Sequence, residues 1–161
     1  MNENIYDQRS IIFLGKLKDL GSGEKARLKR CAGRTLTEAR QEALGVFFRV
    51  LPPDIPPYQY ETFFLVATLY PVAEEGGSGN LGDSLRLCRI PNNEKSLDRR
   101  MEILLDSDEG QIPYRLRQVV HLFQTNRIRI NWPQLLEDLL KWTHPDHFIQ
   151  RRWAQSYFTQ H

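Results

Sequence analysis

The chain has 161 residues, and its 22 lysine and arginine side chains against 20 acidic ones give a formal net charge of +2. A hydrophobic share of 40% excludes a largely disordered protein. The longest apolar run, Phe63–Tyr70, is too short to span a bilayer, and the polar N-terminus lacks the pattern of a signal peptide. We therefore expect a cytoplasmic protein without a membrane partner, in which Cys31 and Cys88 stay as free, buried thiols.

The N-terminal half shows the period of three to four residues that is typical of α-helices. Thr35 and Glu38 form a capping box, which predicts a helix that continues to the next proline pair. The stretch Tyr58–Tyr70 is so apolar that we expect a helix buried at the centre of the fold. Two short helices are predicted near Asp83–Arg89 and Lys95–Leu105.

Three further amphipathic stretches follow in the C-terminal half. One begins at Pro113, the next begins at Trp132, and the last carries Ile149, Trp153 and Tyr157 on one face. We expect these last three residues to lie in a core, with Trp153 shielded from water. No stretch alternates with period two, as a half-buried strand would. The sequence therefore predicts an all-α fold.

The segment Gly77–Gly82 matches the G-x-G-x-x-G pattern of dinucleotide-binding proteins. That pattern indicates a cofactor site only where a strand precedes the glycines and a βαβ unit surrounds them. Here a predicted helix precedes them, and no strand pattern comes after them. We interpret the loop as a hinge and expect no bound cofactor.

The tripeptide His144–Asp146 separates the last two predicted helices, and its histidine and aspartate are residue types that often occur in functional sites. J-domain co-chaperones use His-Pro-Asp after a basic helix, whereas the preceding helix here carries Glu137 and Asp138. A metal site at His144 and His147 would need a third ligand, and neither HExxH nor a cysteine pair is present. We therefore expect a corner, with the aspartate of the tripeptide as N-cap of the last helix, and no metal.

Basic residues are concentrated near the N-terminus. The segment Glu24–Arg34 carries five basic residues against one acid. Within it, Arg27, Arg30 and Arg34 recur at positions i, i+3 and i+7, which places them close to one helix face if the helix persists past Gly33.

Two other predicted helices carry arginines away from their apolar stripes. Arg117 is predicted beside Tyr114 and His121, so that a cation lies among rings that could stack on bases. Arg151 lies nearly opposite the stripe of the last helix. A solvated surface is the simpler interpretation of any single arginine. Several such faces favour contact with phosphates, which requires guanidinium charge but no particular base.

Six segments in order resemble the CasB-type small subunit of Cascade, the RNA-guided surveillance complex of type I-E CRISPR systems. The resemblance extends over Thr35–Phe158 and is strongest from Gly79 onward. The segments are FFLVATLY, GNLGDSLRLCRI, DRRMEILLDSD, IPYRLRQVVHLF, INWPQLLEDLLKW and FIQRRWAQSYF. The resemblance implies two small helical bundles packed together, an N-terminal one over residues 1–92 and a C-terminal one over residues 93–161.

The resemblance also implies a subunit without enzymatic activity, present in two copies. Its partners would be the backbone and large subunits of Cascade, the CRISPR RNA and both strands of the target DNA. There it would bind the nucleic-acid backbone and stabilise the R-loop in antiviral defence. The family's basic residues map onto Arg27, Arg30, Arg86, Arg99, Arg117 and Arg151. The spacing within the basic segment adds Arg34 to these predicted nucleic-acid-binding residues.

Other functions stay open at this point. The alternative is a stand-alone helical protein-interaction module, or a small nucleic-acid-binding protein, without a CRISPR role. A small nuclease that uses His144, Asp146 and His147 is disfavoured, because helical nucleases usually need clustered carboxylates or a metal set near their basic faces.

Overall fold

The computed structural model describes residues 6–159, and in that range the chain folds into nine α-helices joined by turns and two 3₁₀ segments. The helices are α1 Gln8–Lys18, α2 Ser22–Lys29, α3 Gln41–Val50, α4 Tyr60–Leu69, α5 Leu81–Arg86, α6 Glu94–Leu105, α7 Ile112–Asn126, α8 Trp132–Leu140 and α9 Phe148–Phe158. Between residues 6 and 159 the β-structure is limited to an isolated bridge between Glu75 and Ile130. The predicted all-α class is confirmed.

No helix in the described part of the chain is both long and apolar enough to cross a membrane. The outer limits of the two predicted bundles, in residues 1–5 and 160–161, lie outside the described residues. Cys31 and Cys88 are free and buried, as predicted. Burial raises the pKa of the Cys88 thiol to about 11.

Helix α4 is the centre of the N-terminal half, as its composition predicted. Every residue of Phe63–Leu69 is buried, because a helix that is apolar on all sides needs neighbours on all sides. The Phe63 ring packs edge-on against Phe13 of α1 at 4.9 Å between centroids, and Phe64 packs against Phe47 of α3 at 5.2 Å.

Helix α9 is the core helix of the C-terminal half. Ile149, Trp153 and Tyr157 are all buried, which confirms the predicted stripe. The indole of Trp153 lies 4.9 Å from that of Trp142, and its Nε1 donates a 2.8 Å hydrogen bond to the carboxylate of Asp138. That acceptor is itself buried, and burial raises its pKa.

Elements from the two predicted bundles pack against each other. Helix α5, which precedes the predicted divide, lies against α9 so closely that a Cβ at Gly82 would fall 2.2 Å from the carbonyl oxygen of Trp153. Helices α1 and α8 also pack together, and Ser10 Oγ donates to Glu137 at 2.9 Å. The divide at residues 92 and 93 stays a prediction.

The predicted helix start at the Thr35 capping box is wrong in detail. The capping box is present, since the Thr35 N–H donates to Glu38 at 2.9 Å, but it opens a 3₁₀ segment, Leu36–Glu38. Helix α3 begins only at Gln41, because the two intervening residues have extended backbone. The Gly-rich loop ends in a second capping box, Asn80 with Asp83, which opens α5.

The His-Pro-Asp tripeptide lies in the corner between α8 and α9, as predicted. Asp146 is nevertheless not the N-cap of α9. That position belongs to His147, which has a φ of 51° and makes no side-chain capping bond. Asp146 lies one residue too early, and its N–H donates to Nδ1 of His144 at 3.1 Å.

Candidate nucleic-acid interface

The seven predicted arginines lie in different environments, and three of them are held by other groups of the protein. Nη1 of Arg86 donates to the carbonyl oxygens of Tyr157 at 2.9 Å and Thr159 at 2.6 Å, so this half-buried side chain caps the end of α9. Nη1 of Arg151 donates to the carbonyl oxygen of Asp146.

The third of these, Arg30, forms a 2.9 Å ion pair with Glu42 of α3. The other four predicted arginines are exposed and make no hydrogen bond or ion pair with another residue between positions 6 and 159. They are Arg27, Arg34, Arg99 and Arg117.

The structure brings Arg117 of α7 against the turn that follows α2. Gly33 lies in this turn with a φ of +81°, and a Cβ there would lie 2.5 Å from Cδ of Arg117. The methylene stem of Arg117 therefore occupies the space that any other residue at position 33 would fill. As a result, the stem of Arg117 lies against the residue that precedes Arg34, although α7 is distant in sequence.

A basic groove beside α2 was missed by the sequence analysis. It has a volume of about 830 Å³ and a floor formed by Tyr70 and the three residues after it. Its walls carry the cations Lys18, Lys25, Lys29 and Arg129 against the acids Glu74 and Glu75. The sequence did indicate the α2 side of the groove, because Lys25 and Lys29 are four residues apart in the basic segment and therefore lie on one helix face. Nothing in the sequence placed Arg129 opposite them.

One ion pair lies inside this groove. Nζ of Lys18 lies 3.0 Å from the carboxylate of Glu75, and the Tyr70 hydroxyl donates to the same carboxylate at 3.0 Å. The Lys18 hydrogen bond lowers the pKa of Glu75. Burial, with the neighbouring carboxylate, raises the pKa of Tyr70. Among the described residues, Lys25 and Lys29 have no such partner.

We call the following set the α2 surface. Its members are exposed or half-buried cations on or beside α2 that have no hydrogen-bond or ion-pair partner among residues 6–159. They are Lys25, Arg27, Lys29, Arg34 and Arg117. Unpaired cations on and beside one helix suit the repeated negative charge of a phosphate backbone.

Arg99 lies apart from this set, in a groove of about 310 Å³ between α6 and α7. Arg100 and Arg115 line the same groove. Arg115 is held in place, because its Nη1 donates to the carbonyl oxygen of Ile103 and to Ser107 Oγ, both at 3.1 Å. The predicted arginines therefore belong to more than one surface.

The His-Pro-Asp corner offers little for chemistry. Nδ1 of His144 lies 4.0 Å from the nearest carboxylate oxygen of Asp146, and both side chains are exposed. Within the described residues, no group of three histidine, cysteine, aspartate or glutamate side chains is arranged to hold a metal ion.

Comparison with known proteins shows which family this sequence matches. The sequence family described as CRISPR-associated protein Cse2 matches residues 24–158. The CRISPR-associated protein Cse2 of Thermus thermophilus is 37% identical over 100 residues, which are 61% of this chain. The matched part spans 56% of the length of that relative.

Solved structures match over a larger part of the chain. The crystal structure of a Cse2-family CRISPR-associated protein from Thermus thermophilus is similar with a TM-score of 0.79 and 29% identity, over 92% of this chain and 97% of that one. A chain from a CRISPR RNA-guided surveillance complex shares the fold with a TM-score of 0.76 and 22% identity, over 93% of this chain and 91% of that one.

Proposed function

The chain belongs to the Cse2 family of CRISPR-associated proteins, and from that premise we propose that it is a non-catalytic small subunit of a type I-E Cascade complex in the cytoplasm. In this function it binds the backbones of the target strand and the displaced strand through the α2 surface. Its partners there are the backbone and large subunits, the CRISPR RNA and a second copy of itself.

The observation that carries this proposal is the set of unpaired cations around α2. Arg27, Arg34 and Arg117 are exposed and make no ion pair with another described residue. A surface arginine that only maintains solubility gains nothing from being positioned, yet the stem of Arg117 is packed against Gly33, which precedes Arg34 in the chain. Exposed guanidinium groups of this kind suit phosphates, because each presents a planar fork of donors.

The physics of the R-loop makes a few such contacts sufficient. The guide RNA reads the sequence by base pairing, so an accessory subunit does not need to read bases for specificity. The RNA–DNA heteroduplex is about as stable as the DNA duplex it replaces. Small favourable contacts to the opened strands therefore decide how long the R-loop persists.

The test is a triple variant, Arg27→Gln, Arg34→Gln and Arg117→Gln, in the assembled complex. We expect the variant to join the complex and the guide to find its target, while the R-loop dissociates faster than with the wild type. For single-stranded DNA, the slope of log K against log[salt] should become flatter by about 2, at roughly 0.7 per lost phosphate contact.

The matched control removes three positive charges elsewhere, through Lys16→Gln, Lys95→Gln and Lys141→Gln. These side chains are exposed and lie outside the α2 surface. If the control shortens the R-loop lifetime as much as the triple variant does, net charge alone is responsible and the assignment to the α2 surface is wrong. An R-loop lifetime that the triple variant leaves unchanged rejects the proposed contact.

A further inference from the structure

A second groove is smaller and more enclosed than the basic groove beside α2. It has a volume of about 220 Å³ and lies where the start of α4 meets the start of α7 and the end of α8. Its lining is mainly apolar and includes Leu65, Ile112, Leu139 and Trp142. We call it the α4–α7 groove.

One exposed aromatic ring lines this groove, and a second belongs to the residue that follows a lining residue in the chain. Tyr58 is part of its lining and is 84% exposed. Pro113 also belongs to the lining, and the next residue, Tyr114, is 60% exposed. Exposed tyrosines beside an apolar recess are a stacking platform for planar groups, because one face of each ring is free.

Two short links connect the wall of the groove with residues of the α2 surface. The N–H of Leu36 donates to Glu61 in the groove wall at 3.0 Å, and Arg34 is only two residues, at most about 7 Å, away along the chain. Arg117 follows Pro113 by four residues, about 6 Å along α7. Arg34 and Arg117 are therefore each only a few residues from the wall of the groove.

The charged residues that line the groove are acidic, whereas the nearby charged residues of the α2 surface are basic. Glu61 and Glu109 belong to the lining, whereas Arg34 and Arg117 lie outside it. The Glu109 side chain makes no hydrogen bond with another residue between positions 6 and 159. Carboxylates repel phosphate but accept hydrogen bonds from the amino groups of bases. A nucleotide at this place would therefore point its base inward and its phosphate toward the arginines.

We infer that the α4–α7 groove takes an unstacked base of a single strand whose phosphates lie on the α2 surface, an inference that rests on the proposed function. The base stacks on Tyr58, and the apolar floor excludes water from its edge. The strand is thereby held by two independent interactions, one that depends on salt and one that depends on the presence of bases.

The experiment compares two oligonucleotides of equal length and charge with the full-length chain. One carries adenine at every position, and the other is the abasic sugar–phosphate backbone. We expect the wild type to bind the base-bearing strand at least about 5-fold more tightly, as stacking of one base provides. Both strands should show the same dependence on salt.

Variants separate stacking from charge. Tyr58→Ala should abolish the preference for bases and leave the salt slope unchanged, while Tyr58→Phe should keep the preference because the ring remains. Leu87→Ala is the matched control, since Leu87 is 70% exposed but does not line the groove. Substitution of Arg34 and Arg117 by Gln should flatten the salt slope and keep the preference.

Each outcome decides one of the two claims. If the wild type binds both strands equally with a steep salt slope, the base site is rejected and the phosphate-binding proposal stands. A base preference without salt dependence rejects the phosphate contacts, and binding of neither strand rejects both. If Tyr58→Ala leaves the preference intact and instead prevents assembly of the complex, the groove holds an apolar side chain of a partner subunit, and our inference is wrong.

Discussion

The surface around α2 and the end of α9 both carry arginines, and they use them in opposite ways. Around α2, the guanidinium groups of Arg27 and Arg34 have no hydrogen-bond partner among the described residues. At the end of α9, Arg86 bonds two carbonyl oxygens. Arg89 lies over the Tyr157 ring at 5.0 Å and pairs with Asp98 at 3.2 Å.

The difference lies in what each arginine finds nearby. The last carbonyl groups of a helix have no partner within it, so a cation that reaches them forms hydrogen bonds within the protein. Such a side chain contributes to folding and has less capacity left for a ligand. Arg27 extends from an exposed face of α2, whereas Arg34 lies in the turn after it, because the helix ends at Lys29 and does not persist past Gly33. The binding capacity of both is free for another molecule. The arginine content of a segment is therefore a poor guide to its function.

First, we expect α9 to be essential to the stability of the fold. Trp153→Ala should lower the free energy of unfolding by about 3–5 kcal/mol, because it leaves a large cavity and removes the donor from the buried Asp138. Denaturant titration followed by circular dichroism measures this loss. Phe158→Ala in the same helix is the control, since Phe158 is 39% exposed and should cost far less. Similar losses for the two variants would contradict the assignment of the core.

The second prediction compares one arginine at the end of α9 with one on the α2 surface. Arg86→Ala should lower the free energy of unfolding by about 1.5–3 kcal/mol, because two carbonyl oxygens lose a charged donor. Arg27→Ala should change it by less than about 0.5 kcal/mol. In strand binding the order should reverse, with the larger loss for Arg27→Ala. If both substitutions affect stability alike, the contrast between the two regions is wrong.

The smallest expected effect belongs to the corner before α9. His144→Ala and Asp146→Ala should each change the free energy of unfolding by less than about 0.5 kcal/mol, since both side chains are exposed and neither caps the helix. Complex assembly and R-loop lifetime should stay at wild-type values. A variant that folds normally but loses R-loop binding would assign a function to this corner after all.

Much of the fold could be predicted because it depends on local pattern. The apolar stripe of Ile149, Trp153 and Tyr157 predicted a core helix, and the stretch around Phe63 predicted a buried one. Helix ends were less predictable. Thr35 forms its capping box, but whether the chain continues as an α-helix depends on where α3 must pack. A local signal fixes where a turn begins, whereas the path of the next residues depends on tertiary packing.

The candidate site was predictable only in part. The basic segment before Arg34 could be recognised from its composition, because charge needs no fold to be counted. The sequence could not show which of its cations are free, because Arg30 pairs with Glu42 only when α2 and α3 pack together. The position of Arg117 over Gly33 joins α7 to the turn after α2, and no periodicity encodes a contact between distant segments.

The sequence by itself determined the helical class, the buried faces and the family, because these depend on residue type and on spacing along the chain. The tertiary structure decided which arginines are available, that Arg129 and Lys29 line one groove, and that Tyr58 lies at another. The physical reason is that availability depends on the neighbours in space. A guanidinium group near an unpaired carbonyl is bound by the fold, whereas one on an open face is left for a partner.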